Sequence, residues 1–311
     1  MISVEGLRKR FGGRTALDGL DLTVAAGTVH GLLGPNGAGK TTTVRILTTL
    51  LRLDAGRASV AGFDVAREPA RVRAHIGLVG PHATVVVALS ARQNLVLFGR
   101  LYHLPAAQAR ARATELLAQF GLADTGPKPT RQFSGGMRRR LDLAASLILR
   151  PRVLFLDEPT TGLDPRGRTE VWEAVRALVR EGTTVLLTTQ HLDEADQLAS
   201  AITVVDDGRV IASGSPAALK AELGGDRLDV VVHDTAELPR AASVVASVTG
   251  TQPDVDVDNR RVSAPVADPL PALANAVHAL READLAVVDV GLRRPTLDEV
   301  FLHLTATEAS A

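Results

Sequence analysis

Hydrophobic and polar positions alternate along about the first 215 residues in a way that predicts strands and helices by turns. Three continuous apolar runs are present, and such runs are typical of strands that are covered on both faces of a parallel sheet. They are TVHGLLG from Thr28, RVLFLDEP from Arg152 and TTVLLTTQH from Thr183. Helical spacing follows the first run, in TTTVRILTTLL. This order predicts an α/β domain with a largely parallel sheet.

Helical spacing dominates the segment from about 88 to 150, where AAQARARATELLAQFGL is expected to end at a Gly121 cap. Further along, Asp207 and Gly208 in ITVVDDGRVIASG are the turn residues of a predicted hairpin. We place the end of the first domain at about residue 220, before the pair Gly224–Gly225.

Residues 226–311 predict a small second domain of the α+β class. Their pattern runs strand, helix, two short strands, helix and strand, which is the order of a ferredoxin-like or split βαβ unit. A last helix is expected in TLDEVFLHLT, where Thr296 and Glu299 have the spacing of a capping box.

GPNGAGKTT follows the first apolar strand and precedes a helix, which predicts a phosphate-binding loop. Its glycines let main-chain N–H groups turn toward a phosphate chain, and the helix N-terminus adds partial positive charge. Lys40 can reach the β and γ phosphates, and the Thr41 hydroxyl can bind Mg²⁺. The expected nucleotide-binding residues of this loop are Gly34, Pro35, Asn36, Gly37, Ala38, Gly39, Lys40, Thr41 and Thr42.

Two acids close the strand VLFLDEP. Asp157 is expected to hold Mg²⁺ or its water shell, and Glu158 is suited to polarise an attacking water. Apolar strands that end in acids are common, so it is the accompanying phosphate loop that favours a metal site here.

FSGGMRRRLDLAASLILR places small residues and a hydroxyl in front of a helix. The free N–H groups of Ser134, Gly135 and Gly136 favour binding of an oxyanion, although Ser-Gly-Gly alone is also an ordinary loop. The three arginines Arg138–Arg140 lie near the helix start, where the macrodipole disfavours cations. For these arginines we favour an exposed helix face over a specific role.

Composition limits the classes to which the chain can belong. The 311 residues include 35 acidic and 35 basic side chains, so the net charge is zero and predicts no general attraction to nucleic acid. There is no cysteine, which excludes thiolate metal sites. The N-terminus lacks the apolar core of a signal peptide, and the longest apolar runs are far shorter than the roughly 20 residues that span a bilayer. We therefore expect a cytoplasmic chain that needs another protein to form a membrane path.

Together, the phosphate loop, SGG, LDEPTTGLDP and TTQHLDEAD resemble the ATP-binding subunit of an ABC transporter over about residues 1–215. QFSGGMRRRLDLAASLI and RRPTLDEVFLHLT are similar to the daunorubicin/doxorubicin-resistance branch of drug exporters. The resemblance implies a P-loop NTPase core with a helical subdomain, and ATP and Mg²⁺ as cofactors. It also implies a homodimer that binds two ATP at its interface, and a separate membrane permease as partner at the cytoplasmic face of the membrane.

The same resemblance assigns roles to single residues. Glu158 would be the general base, and His191 would sense the γ-phosphate, a role that its motif favours over a purely structural one. Ser134–Gly136 would contact the γ-phosphate bound by the partner subunit, and Asp164 would lie at the dimer contact. Phe11 would stack on adenine, with a buried anchor for the first strand as the alternative.

The chain departs from the family pattern in HIGLVGPH. A glutamine that reaches Mg²⁺ and the attacking water is expected after this strand, and Pro81 stands in its place. Proline offers neither an amide oxygen nor an N–H. The adjacent His82 could offer a ring nitrogen, but a lone His in a loop is more often simply exposed.

We therefore expect the ATP-hydrolysing subunit of an exporter that drives efflux of an amphipathic, antibiotic-like small molecule. One alternative is a regulatory nucleotide-binding protein with weak hydrolysis, which Pro81 motivates. Another is a non-transport ABC ATPase that acts on ribosomes or DNA. Such proteins usually carry paired nucleotide domains or long coiled-coil insertions, so the single phosphate loop and neutral charge disfavour this alternative, and we expect no nucleic-acid partner.

Overall fold

The computed structural model describes residues 1–81, 84–222 and 225–301, and their strands form three sheets. Contacts divide the chain into two units, Met1–Pro216 and Ala217–Ala311. The predicted boundary pair includes Gly224, which lies outside the described residues.

The strands of the first unit are β1 (Ile2–Phe11), β2 (Arg14–Val24), β3 (Val29–Leu33), β4 (Ala55–Val60), β5 (Phe63–Asp64), β6 (Ile76–Val79), β7 (Val153–Asp157), β8 (Thr184–Thr189), β9 (Ala201–Asp206) and β10 (Arg209–Gly214). Its α-helices are α1 (Lys40–Leu47), α2 (Pro69–Arg73), α3 (Ala91–Leu101), α4 (Ala106–Gln119), α5 (Gly135–Ser146), α6 (Pro165–Arg180) and α7 (Leu192–Leu198), and α8 (Pro216–Glu222) follows.

The central sheet has the order β10-β9-β3-β8-β7-β6, in which only the edge strand β10 is antiparallel to its neighbour. Every residue of β3, β7 and β8 is buried, which confirms the prediction made from their continuous apolar runs. The carboxyl ends of parallel strands lie along one edge of a sheet. Gly34, Glu158 and His191 therefore follow neighbouring strands at the same edge.

A second, antiparallel sheet of order β2-β1-β4-β5 lies in the same unit and was not predicted. Its strands pair with several register shifts, one of them between Val4 and Leu7, where Gly6 has a φ of 56°. Such bulges interrupt the alternation of buried and exposed residues that identifies an antiparallel strand in a sequence.

Helices α3, α4 and α5 form a helical subdomain between β6 and β7. Its apolar core includes Leu95, Leu116 and Leu141, all of which are fully buried. Asn94 on α3 is also fully buried, and its side-chain amide accepts from the Val86 N–H at 2.7 Å and donates to the Val86 carbonyl at 3.1 Å. This pair of hydrogen bonds fixes part of the loop between β6 and α3.

The second unit contains β11 (Arg227–Val232), α9 (Leu238–Thr249), β12 (Asp254–Asp256), β13 (Arg261–Pro265), α10 (Pro269–Glu282) and β14 (Val287–Arg293). Its antiparallel sheet has the order β12-β13-β11-β14, so β13 lies between the two strands that α9 connects, as in a split βαβ unit. An apolar core formed by the sheet and both helices makes this unit a small α+β domain.

The predicted capping box near the C-terminus is confirmed. The Thr296 N–H donates to Oε2 of Glu299 at 2.9 Å, and the Glu299 N–H donates to Oγ1 of Thr296 at 3.3 Å. Helical backbone runs over 297–301, and the rest of the predicted last helix lies outside the described residues. Within the described ranges, no helix combines the length and apolar character needed to cross a membrane.

Candidate nucleotide-binding site

At two positions in the loop between β3 and α1, neighbouring atoms lie so close to the main chain that only glycine fits. A Cβ atom on Gly34 would lie 2.1 Å from the Val205 carbonyl oxygen. A Cβ atom on Gly39, which has a φ of 102°, would lie 2.6 Å from Cδ2 of Leu17 and 2.7 Å from the Ala16 carbonyl oxygen. The loop thus makes the tight turn, without bulky side chains, that lets main-chain N–H groups approach a phosphate.

Lys40 begins α1 and is buried, with its ammonium group turned back over the loop. Its Nζ donates to the carbonyl oxygens of Gly34 at 2.7 Å and Pro35 at 2.9 Å. Burial lowers the pKa of Lys40, and the nearby carboxylates of Glu158 and Asp157 oppose that effect. A cation held here by main-chain oxygens can exchange them for phosphate oxygens.

Asp157 ends β7 and is only 4% exposed. Its Oδ1 accepts hydrogen bonds from the hydroxyl of Thr41 at 3.2 Å and from the hydroxyl of Thr188 at 2.5 Å. Carboxylate and hydroxyl oxygens are the ligands that Mg²⁺ prefers. The residues present therefore fit the metal that the sequence predicts. Thr188, which was not among the predicted site residues, belongs to the polar end of the run TTVLLTTQH.

Glu158 has a left-handed backbone, with a φ of 50°. Its N–H donates to the Thr188 carbonyl at 3.0 Å, and the Thr161 hydroxyl donates to its Oε2 at 3.4 Å. A non-glycine residue in this region costs about 1–3 kcal/mol, and such strain clusters at active sites and ligand-binding sites. The side chain is half-buried at the edge of the site, where it remains accessible to water.

His191 immediately precedes α7 and is half-buried. Its N–H donates to the Thr189 hydroxyl at 2.9 Å, which fixes the main chain where β8 ends. On the first turn of α7, Glu194 is 1% exposed and accepts a hydrogen bond from the indole of Trp172 at 3.2 Å. Burial raises the pKa of Glu194.

Ser134 is the N-cap of α5, and Gly135 and Gly136 are its first two residues, so the small residues stand at a helix N-terminus. The hydroxyl of exposed Ser134 accepts from the Met137 N–H at 3.2 Å. Gly135 is exposed, and Gly136 is buried against α6. Asp164 caps α6 in the same way, its Oδ1 accepting from the Gly167 N–H at 2.8 Å. The N-termini of two packed helices are therefore present for contacts with a second subunit, and that role remains a prediction.

Phe11 lies at the end of β1 and is 50% exposed, so the alternative of a buried anchor is wrong. The ammonium group of Lys9 lies 5.6 Å from the centre of its ring. An accessible aromatic face is what stacking on adenine requires, and stacking itself remains a prediction.

Pro81 is exposed and directly follows Gly80, whereas His82 lies outside the described residues. The loop is attached to α5 further along, because the N–H and hydroxyl of Thr84 donate to Oδ1 of Asp142 at 2.9 and 3.0 Å. Asp142 is 3% exposed, and burial raises its pKa.

The interpretation of Arg138–Arg140 as an exposed helix face is wrong for Arg139, which is 6% exposed, and the other two arginines are half-buried. Its guanidinium group donates to the carbonyl oxygens of Gly80 at 2.6 Å, Pro159 at 2.6 Å and Glu158 at 3.2 Å. These acceptors come from two loops that are distant in sequence, so no local pattern could have identified the contact.

The family, the relatives and the solved structure that this chain resembles are all ABC transporter or ATP-binding proteins. Residues 17–161 match the family described as ABC transporter. The chain is 64% identical over 307 residues to the daunorubicin resistance ATP-binding protein DrrA3 of Streptomyces coeruleorubidus, covering 99% of this chain and 96% of that protein. It is 50% identical over 308 residues to the daunorubicin/doxorubicin resistance ATP-binding protein DrrA of Streptomyces peucetius, covering 99% and 93%. The solved structure of cbiO1 from Clostridium perfringens, part of the ABC transporter complex cbiONQ, is similar with a TM-score of 0.66 at 30% identity, over 71% of this chain and 91% of that one.

Proposed function

This chain belongs to the ATP-binding proteins of the ABC transporter family, and we propose that it powers export of an amphipathic, antibiotic-like small molecule through a separate membrane permease. Members of this family are ATPases. Two relatives, 64% and 50% identical to this chain, are daunorubicin-resistance proteins, which supports an antibiotic-like substrate. We place the chain at the cytoplasmic face of the membrane, where the permease would hold it.

The observation that carries this proposal is that the buried ammonium group of Lys40 lies near the carboxylates of Asp157 and Glu158 at one edge of the central sheet. Lys40 would bind the β and γ phosphates once they replace the Gly34 and Pro35 carbonyls around its ammonium group. Thr41 and Asp157 would hold Mg²⁺ through their side-chain oxygens. When bound, Mg²⁺ would neutralise the charge that develops on the phosphate oxygens.

Glu158 would take the proton of the attacking water. Its strained main chain is hydrogen-bonded to Thr188 and Arg139, so the backbone that carries the carboxylate starts from a fixed position. Holding a general base in place lowers the barrier because less motion has to be frozen in the transition state. His191 would donate a ring N–H to a γ-phosphate oxygen.

A second copy of the chain would complete the site. The N-terminus of α5, where Ser134 and Gly135 are exposed and Gly136 is buried against α6, offers N–H groups of the kind that bind phosphate. We propose that they contact the nucleotide of the partner subunit, with Asp164 at the dimer contact. Phe11 would stack on the adenine of the nucleotide bound in its own subunit.

Glu158→Gln tests the assignment of the general base. The purified variant should bind Mg-ATP like the wild type and lose turnover by about 100-fold or more, because the amide cannot accept the proton. Glu173→Gln, on the exposed face of α6, is the matched control and should leave turnover unchanged. Normal hydrolysis by Glu158→Gln would remove the proposed base.

Transport is tested in inverted membrane vesicles that contain the chain and its permease. ATP should drive accumulation of an anthracycline in wild-type vesicles, and Lys40→Ala should abolish both nucleotide binding and accumulation. Accumulation that continued in the Lys40→Ala vesicles would contradict ATP-driven export by this chain.

A further inference from the structure

Arg139 joins two loops to the helix that the SGG segment begins. From α5 its Nε donates to the Pro159 carbonyl at 2.6 Å, and its Nη2 donates to the Glu158 carbonyl at 3.2 Å. Its Nη1 donates to the Gly80 carbonyl at 2.6 Å. One planar guanidinium thus fixes the main chain of the proposed general base and the end of the segment that follows β6.

Asp142 lies one helical turn after Arg139 and attaches the same loop at a second point. Its Oδ1 accepts from both the N–H and the hydroxyl of Thr84. Pro81 stands where the family's glutamine is expected. The contacts of α5 with Gly80 and Thr84 therefore lie before and after this position in the chain.

The burial of these two charges argues against a role in stability alone. Moving a charge from water into the protein interior costs roughly several kcal/mol. Replacing a buried ion pair by apolar side chains of similar volume often leaves the stability of a protein unchanged or increases it. Arg139 remains cationic even in this environment. The carboxylates of Asp142, Glu194 and Asp157 oppose the effect of burial on its pKa, so its charge is coupled to the acids around the site.

We propose that Arg139 and Asp142 are positioning residues for ATP hydrolysis, which hold the main chain of Glu158, Gly80 and Thr84 in a fixed relation to α5. This inference rests on the proposed role of Glu158. Because α5 begins at the residues proposed to contact the partner's nucleotide, a shift of that helix would be transmitted to the general base through one side chain. Arg139 would act through Glu158 without touching the nucleotide.

Arg139→Gln in the full-length chain tests the proposal, with Arg138→Gln as the matched control on the same helix. We expect Arg139→Gln to lower kcat for ATP by about 10–100-fold while the Kd for ATP stays within about twofold, since positioning acts on the chemical step. Arg139→Lys should lie between these values, because one ammonium group cannot reach three separate carbonyls. Arg138→Gln should match the wild type.

Amide hydrogen exchange provides a readout that does not depend on turnover. The Glu158 N–H donates to the Thr188 carbonyl, and its exchange should become faster in Arg139→Gln and remain unchanged in Arg138→Gln. Asp142→Ala should lower kcat in the same way, whereas Asp142→Asn, which keeps an oxygen acceptor for Thr84, should lower it less. The double variant of Arg139→Gln and Asp142→Ala should lose less than the product of the single losses, because both residues hold one loop.

Two results would overturn the inference: wild-type kcat in Arg139→Gln, or a parallel loss of ATP affinity and turnover that follows a loss of stability. If Arg139→Gln does not fold, Arg139→Lys and Asp142→Ala take its place, and wild-type kcat in both would be equally decisive. Glu158→Gln separates the inference from the proposed function. An inactive Glu158→Gln together with fully active Arg139 variants would remove the positioning role alone, whereas an active Glu158→Gln would remove the proposed base itself.

Discussion

The hydroxyl of Thr188 donates to Oδ1 of Asp157 at 2.5 Å, across the boundary between the parallel strands β8 and β7. The same threonine accepts the Glu158 N–H at its carbonyl oxygen. Thr188 thus holds both acids of the candidate site although neither is its neighbour in sequence. Its hydroxyl fixes the carboxylate proposed to hold Mg²⁺, and its carbonyl fixes the proposed base.

Thr188→Val should weaken Mg²⁺-dependent activity. The substitution keeps the shape of the side chain and removes one of the two hydroxyl donors to a buried carboxylate, which costs about 1–3 kcal/mol. We expect the Mg²⁺ concentration for half-maximal ATP hydrolysis to rise several-fold, as measured by titration at saturating ATP. Thr188→Ser keeps the hydroxyl and serves as the control. Equal Mg²⁺ dependence in both variants would show that this hydrogen bond does not organise the metal ligands.

Pro81→Gln tests whether the missing glutamine limits hydrolysis. An amide at this position could orient the attacking water, so we expect turnover to increase by about three- to tenfold. Pro81→Ala removes the ring without adding a side-chain amide. Comparing the two variants shows whether a gain in turnover comes from the glutamine amide or from loss of the proline ring. Identical turnover in the two variants would mean that no amide is needed here.

His30 should make the stability of the first unit depend on pH. It is 5% exposed, its Nε2 lies 2.9 Å from the Thr203 hydroxyl, and burial lowers its pKa from 6.5 to about 4. The folded state therefore favours the neutral ring, and the unfolded chain binds the extra proton first as the pH falls. This contribution, on the order of 3 kcal/mol, is fully present above pH 6.5 and is lost as the pH falls toward 4.

Urea unfolding between pH 7 and pH 5, followed by the fluorescence of Trp172, measures this effect. Trp172 is the only tryptophan of the chain and reports on the first unit. His30→Gln should reduce the loss of stability on acidification. His278→Gln, at an exposed histidine of the second unit, should retain the wild-type loss. A His30→Gln profile that paralleled the wild type would exclude His30 as the source.

Glu299→Gln should loosen the C-terminal segment of the second unit. Both carboxylate oxygens of Glu299 accept from Arg293, at 2.7 and 2.8 Å, and the hydrogen bonds from Arg293 contribute most to lowering the pKa of Glu299 to about 2. A depressed carboxyl pKa stabilises the fold above the ordinary value near 4.5, and the effect is lost as the pH falls through about 2.

Near neutral pH, loss of the charged pair in Glu299→Gln should destabilise this segment by about 1–3 kcal/mol. Limited proteolysis should then cut the C-terminal segment faster than in the wild type. Glu282→Gln, at an exposed carboxylate on α10, is the control and should leave the cleavage rate unchanged. Equal cleavage of both variants would show that the pair with Arg293 does not hold the segment.

The candidate site was predictable wherever its residues are neighbours in the chain. The glycine spacing around Lys40 predicts the phosphate loop, and the polar end of an apolar strand predicts Asp157 and Glu158. The structure brings Thr41 and Asp157 together because β3 and β7 are both parallel to β8, an order consistent with the predicted parallel sheet. The exposed aromatic face of Phe11 also required the structure, because residue type alone allows either burial or exposure.

The sequence by itself thus determined the class of fold, the strands of the central parallel sheet that end at the site, and the chemistry of the phosphate loop, because local spacing records how a segment turns and which face it buries. The antiparallel sheet of order β2-β1-β4-β5 was missed. Only the tertiary structure decided that Thr188 supports both acids, that Arg139 is buried among main-chain carbonyls, and that Asn94 holds the loop after β6. These contacts join segments whose proximity depends on strand order and helix packing. A hydrogen bond is satisfied by any suitably placed partner, so the residue type alone does not reveal which partner the fold supplies.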